Sequence, residues 1–205
     1  MDTLIRVLLA EDENLIRGAL ASLLSLEEDI EVVAQASTGK EAVAMACKHA
    51  PDVAVLDLLM PQGDGISVTQ AIAAKVPSCR CLIVTSHGAP GNFKRALAAG
   101  VMGFASKNLS ARDLADIIRT VHAGRRYVEP SITANAIKAG ESPLTAREAD
   151  ILHLASDGAP VSEVAERAVL TPGTVRNYLS SAISKLGVSN RHEAVSKARE
   201  HGWIR

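Results

Sequence analysis

Along the first 124 residues the hydrophobic positions switch between two periods. Short apolar runs at Leu4–Ala10, Ile30–Gln35, Val53–Leu58, Cys81–Thr85 and Val101–Ser106 predict buried strands. Between them the spacing turns helical. In Asn14–Leu26, residues Leu15, Ile16, Ala19, Leu20, Leu23 and Leu24 fall on one face, and Thr38–His49, Ile66–Lys75, Gly91–Ala99 and Ser110–Ala123 repeat the theme. Ser110, with Asp113 three residues on, reads as a helix N-cap. Five strand–helix units in series predict an α/β domain: a doubly wound, five-stranded parallel sheet covered by helices on both faces. Ligands of such sheets bind beyond the carboxyl ends of the strands.

Residues 125–142 (RRYVEPSITANAIKAGES) lose the pattern and read as a linker with one short helical turn. From 143 to 205 the periodicity is purely helical and predicts an all-α unit of four helices. Thr145, with Glu148 three residues on, starts a helix that runs to Asp157-Gly158. Val161–Ala168 is the second helix. Thr171-Pro172 opens the third, which Gly187 ends after Leu186, and Arg191–Glu200 forms the fourth. The second and third, joined by a tight turn at Val169-Leu170, fit a helix-turn-helix, whose second helix enters the DNA major groove. Its outward face carries Thr174, Arg176, Asn177, Ser180, Ser181 and Lys185, while Val175, Leu179, Ala182, Ile183 and Leu186 recur as core. Arginine suits guanine, asparagine suits adenine, and the hydroxyls suit phosphates or either base.

Composition narrows the class. With 205 residues, 47% hydrophobic and 22% charged, the chain is an ordinary globular one and not a disordered polymer. Asp57 interrupts the longest apolar run, Val53–Met60, so nothing predicts a membrane span, and acids at 11–13 leave no secretory core. Cys47, Cys79 and Cys81 lack zinc spacing and suit a reducing compartment. A cytoplasmic protein without membrane insertion is expected. The net charge of −1 hides an asymmetry: residues 1–124 hold 11 Lys/Arg against 14 Asp/Glu, whereas 171–205 hold 6 against 2.

The predicted strand ends carry complementary chemistry. Glu11 and Asp12 follow the first strand, Asp57 ends the third, Thr85 the fourth and Lys107 follows the fifth. Three carboxylates in one crevice need a counter-charge. Mg²⁺ supplies it, taking one or two carboxylates together with waters and a phosphate group. A lysine suits a phosphoryl oxygen as a point charge, and a threonine hydroxyl can donate to another. Asp57, set among apolar residues (VAVLDLLM), is the natural nucleophile toward a phosphoryl donor. Singly, each has a plainer reading: acids favouring a helix N-terminus, a solvated lysine, a strand threonine, or Phe104 as core. Together they do not.

Glu11-Asp12, Asp57 with Met60-Pro61 and Gly65, Thr85, Phe104 and Lys107 resemble, in order and spacing, the receiver domain of bacterial two-component response regulators over residues 1–124. The resemblance implies a flavodoxin-like fold and phosphorylation of Asp57 by a sensor histidine kinase. It implies Mg²⁺ on Asp12, Asp57 and the Leu59 carbonyl, with Glu11 acting through water. Thr85 and Lys107 would bind the phosphoryl group, and Phe104 would swing inward as Thr85 moves. A haloacid-dehalogenase-like phosphatase needs a second acid two residues after its nucleophile; Leu59 stands there, which favours a phosphate store over an enzyme.

Residues 144–195 resemble the LuxR/NarL-type DNA-binding domain through Leu144-Thr145-x-Arg147-Glu148, Val164-Ala165, Thr174-Val175, Lys185-Leu186-Gly187-Val188 and Asn190-Arg191. The resemblance implies base contacts from Arg176, Asn177 and Ser180, phosphate contacts from Lys185, Asn190 and Arg191, and Thr171 and Thr174 at the helix start. Glu148 and Arg147 read as a cap and an internal ion pair. The two halves together are those of a NarL/FixJ-like response regulator. This implies binding to double-stranded promoter DNA as a homodimer formed on phosphorylation, through the outward faces of Asn14–Leu26 and Ser110–Ala123. A constitutive DNA binder with a vestigial receiver is the rival. The GALASLL…EEDIEVV segment, Ala89-Pro90-Gly91-x-Phe93 and the Gly202-Trp203 ending are similar to regulators of membrane-lipid desaturase genes, which implies a membrane-embedded kinase sensing lipid order.

Overall fold

The computed structural model describes residues 4–86, 88–138, 140 and 142–204. The chain divides into two compact units, the first holding the sheet and the second the last four helices. In the first, strands and helices alternate: β1 (Ile5–Ala10), α1 (Asn14–Leu24), β2 (Ile30–Ala36), α2 (Gly39–His49), β3 (Val53–Leu56), α3 (Gly65–Lys75), β4 (Arg80–Thr85), α4 (Pro90–Ala98), β5 (Gly103–Ser106) and α5 (Ala111–His122). All strand pairs are parallel, in the order β2-β1-β3-β4-β5. The order reverses between β1 and β3, and crevices form at such switch points.

Alternation along each strand sorts the core. Val7, Leu9, Val53, Val55, Leu82 and Val84 pack with Leu24 of α1 and with Leu114, Ile117, Ile118 and Val121 of α5. Leu8, Leu56, Ile83 and Phe104, all fully buried, face the other way, where Phe104 meets Phe93 of α4 edge-on at 5.6 Å.

Residues 125–142 correct the linker reading and the strand count. Tyr127–Val128 form β6, a sixth strand parallel to β5, and Pro130–Lys138 form a helix, α6. Two residues are too few to show a period in sequence. Proline at the first position of α6 was the legible sign of its start.

The second unit contains α7 (Ala146–Leu154), α8 (Val161–Ala168), α9 (Pro172–Leu186) and α10 (Arg191–His201). Thr145 and Glu148 form the expected capping box, and Thr171 accepts from the Thr174 amide at 3.2 Å. Helix α7 stops short of Asp157, whose carboxylate accepts from the Ala159 amide at 2.9 Å in a side-chain-closed turn. Ile151, Leu152, Val164, Val175, Leu179, Ala182, Leu186, Ala194 and Ala198 make one core.

Candidate functional site

Three site residues stand one rung beyond a strand and are held by the ladder itself. The Glu11 amide donates to the Ala36 carbonyl at 3.0 Å, the Asp57 amide to Ala10 at 2.8 Å and the Lys107 amide to Thr85 at 3.0 Å. Their side chains converge. The Lys107 ammonium lies 2.7 Å from Glu11 Oε2 and 3.1 Å from Asp57 Oδ2. The other Asp57 oxygen accepts from the Leu58 amide at 2.7 Å. Gly65 donates to the Leu58 carbonyl at 2.9 Å, and any side chain there would collide with the Asp57 carbonyl, so the loop after Asp57 requires glycine. Arg17 fixes the Glu11 carbonyl at 2.6 Å.

Glu11 and Asp57 are buried, whereas Asp12 is exposed. Oxygen atoms of these three acids all lie within 4.8 Å of one another. A small pocket of about 170 Å³ opens beside them, lined by Asp12, Glu13, Asp57, Leu59, Ser86 and Lys107 among the described residues. Burial lifts the Glu11 pKa above its ordinary range, and the bond from Lys107 offsets only part of this. Burial also opposes the Lys107 charge, but the bonds to Glu11 and Asp57 outweigh it and hold the ammonium above its ordinary pKa. The donor set, oxygen-only with an open side, fits a hard divalent cation such as Mg²⁺.

Of the residues singled out in the sequence, Glu11, Asp12, Asp57 and Lys107 cluster, with Leu59 at the pocket rim. Thr85 and Phe104 are fully buried behind it. The inward position expected of Phe104 only after Thr85 moves is the one this structure holds. Glu13 and Ser86 line the pocket without having been singled out; as ordinary loop polar residues they carried no sequence signal.

In the second unit, Thr171, Arg176, Asn177 and Ser180 are exposed on α9, Thr174 is half-buried, and Ser184 extends the same exposed stripe. Other candidates make bonds within the unit. Glu148, 4% exposed, accepts from Ser181 Oγ at 2.6 Å and Lys185 Nζ at 2.7 Å, and also from the Thr145 amide. Lys185, then Ser181, hold its carboxyl down at about 2. The ion pair expected beside the cap is therefore Glu148–Lys185, while Arg147 donates to the Ala168 carbonyl at 3.2 Å. Asn190 caps α10, and Arg191 donates to the Ala159 and Gly158 carbonyls.

Residues 7–119 match the family described as response regulator receiver domain, and residues 142–198 match bacterial regulatory proteins of the luxR family. The chain is 42% identical to the uncharacterized transcriptional regulatory protein YvfU of Bacillus subtilis strain 168, over 98% of this chain and 100% of that protein. It is 39% identical to the transcriptional regulatory protein DesR of the same organism, again over 98% and 100%. Among solved structures, the response regulator ChrA of a heme-sensing two-component system aligns with a TM-score of 0.60 and 32% identity, covering 100% of both chains.

Proposed function

The chain belongs to the two-component response regulators that join a receiver domain to a LuxR-type DNA-binding domain, a family of transcriptional regulators and not of enzymes, and from that premise we propose that phosphorylation of Asp57 by a sensor histidine kinase switches its binding to promoter DNA. One observation carries the reading: the Asp57 carboxylate lies at the pocket edge with Lys107 at 3.1 Å and two further acids beside it. An Asp57 oxygen attacks the phosphorus of the kinase phosphohistidine, the P–N bond breaks, and an acyl phosphate forms. Asp12, Asp57 and the Leu59 carbonyl would hold Mg²⁺, and Glu11 would contribute through water. The ion, when bound, offsets the charge of the carboxylates and the incoming phosphoryl group. Lys107, which here neutralises Glu11 and Asp57, turns to a phosphoryl oxygen, and Thr85 donates to another. The phosphoryl group adds about −1.5 to −2 charges.

On the DNA side, Arg176, Asn177 and Ser180 read bases, and Thr171 and Thr174 sit at the groove-entering end of α9. The commitments of Ser181, Lys185, Asn190 and Arg191 within the unit leave them at most a phosphate-facing role. A single helix-turn-helix covers half a site, so two copies act together on half-sites about one DNA turn apart. The apolar surface for that pairing is on α1 and the turn after it, where Leu15 is 86% and Leu26 76% exposed. Contrary to the expectation of two apolar faces, the apolar residues of α5 are buried and its outward positions are Arg112, Asp113 and Asp116.

The test is intact mass after incubation with acetyl phosphate and Mg²⁺. The chain is expected to gain one phosphoryl group and Asp57→Ala none; an unchanged wild-type mass, or an equal gain in the variant, overturns the reading.

A further inference from the structure

The segment after α5 carries a carboxylate that the reading above does not use. Tyr127 and Val128 pair in register with Gly103 and Phe104, and the Glu129 amide adds a rung to the Phe104 carbonyl at 3.1 Å. There the backbone ladder ends and the Glu129 side chain continues it. Its Oε2 accepts from the Ser106 amide at 2.7 Å, and its Oε1 accepts from Ser131 Oγ at 2.6 Å. Burial opposes the charge, but the bonds from Ser131 and Ser106 outweigh it and hold the carboxyl below its ordinary pKa. The Ser106 bond is therefore charge-assisted, and such bonds are short and about twice as strong as neutral ones.

The position of that bond gives it meaning. Ser106 precedes Lys107, whose ammonium bridges Glu11 and Asp57, and follows Phe104 by two residues. The same segment also touches the other side of the site. Ile132, 4% exposed, packs against Gly88, three residues beyond Thr85, where a Cβ would lie 3.4 Å from Ile132 Cδ1. Residues 127–133 thus contact the end of β5, which leads into Lys107, and the loop that follows Thr85.

We propose that Glu129 is a positioning residue: by clamping the Ser106 amide it ties the β6–α6 segment to the end of β5, so that a shift of Lys107 on phosphorylation is passed into the chain leading out of the receiver. This rests on the phosphorylation of Asp57 proposed above. A hydrogen bond weakens steeply as its geometry departs from about 2.9 Å and linearity. When Lys107 leaves Glu11 and Asp57 for a phosphoryl oxygen, the segment either follows the strand or loses the bond. Either way the load on the Ser106–Glu129 bond changes, and with it how often the amides of the segment open to exchange.

Amide hydrogen exchange on the full chain tests this, before and after acetyl phosphate and Mg²⁺, with intact mass reporting phosphorylation. In the wild type, exchange over 127–133 is expected to change several-fold on phosphorylation. Glu129→Ala should gain the same mass yet lose that change, and Glu129→Gln, which keeps an acceptor for the Ser106 amide, should retain it. If the alanine variant is poorly folded, Glu129→Asp, one methylene too short to reach, is read the same way. A wild-type response in a fully phosphorylated Glu129→Ala or Glu129→Asp chain overturns the role of Glu129 and leaves the phosphoacceptor reading standing. A wild-type chain that gains no mass overturns both.

Discussion

Val169 shows how one residue can stand against its own preferences. It closes α8 with φ 55° and ψ 50°, the left-handed region that β-branched residues avoid at a cost of about 1–2 kcal/mol. Its side chain is 89% exposed, so packing returns little. Glycine relieves the strain but gives back about 0.5–1 kcal/mol through a freer unfolded chain. Val169→Gly is therefore expected to stabilise the helical unit by about 1 kcal/mol in urea unfolding, and a loss of stability would mean that the valine methyls make a favourable contact. Residues of the acidic pocket were legible because their chemistry is costly elsewhere: an acid inside VAVLDLLM, acids directly after a strand, and a lysine at the end of another. Glu129 was not legible, because an acid before a proline in a polar stretch is ordinary, and only the register of β6 brings it to Ser106.

At the scale of elements, α9 separates two kinds of residue that its sequence mixes. Thr174, Arg176, Asn177, Ser180, Ser181 and Lys185 share one broad outward arc in the helical pattern, yet Ser181 and Lys185 turn to Glu148 on α7. Periodicity gives the direction of a side chain from its own helix and says nothing of a carboxylate reaching across from another. The same limit hid β6 and made α5 look apolar outside, since a stripe does not reveal which side the sheet occupies. Two outcomes follow. Arg176→Ala should leave stability unchanged and lower the salt slope of duplex-DNA binding by about one, or cost about 1–3 kcal/mol at a specific base. Lys185→Ala should instead destabilise the unit by about 1 kcal/mol, because it removes a charged partner from a buried acid. The acid itself gives the third outcome. A carboxyl held at about 2 when folded and near 4.5 when unfolded contributes stability above the unfolded value, and that contribution fades as pH falls from 4.5 toward 2. The stability difference between wild type and Glu148→Gln should thus be flat above about pH 5 and shrink below it; chemical denaturation at stepped pH reads both limbs, and a difference that persists into acid would assign the effect to the cap alone.

For the whole molecule, the question is what phosphorylation changes beyond the pocket. A two-state equilibrium moves almost completely when about 5.5 kcal/mol separates the two states, and two or three charge-assisted bonds at about 1.5–3 kcal/mol each reach that. In the switch proposed above, pairing of two copies is the response a half-site reader needs, and the exposed leucines of α1 and the turn after it are the proposed face. Leu15 and Leu23 of α1 and Leu26 just past its end are exposed at 86%, 44% and 76%, while Arg119 of α5 ties Glu27 and Asp29 near them into a charged rim. In a two-fold pair each leucine counts twice. Burying a leucine is worth about 1.5–3 kcal/mol, so Leu15→Asp removes at least about 3 kcal/mol from the dimer, a weakening of roughly a hundredfold. The variant should still gain one phosphoryl group, since α1 contributes no side chain to the pocket. Sedimentation of the phosphorylated chains then decides the matter. A wild type that pairs beside a variant that stays monomeric places the switch on α1, whereas equal dimers in both would move the pairing surface elsewhere on the receiver.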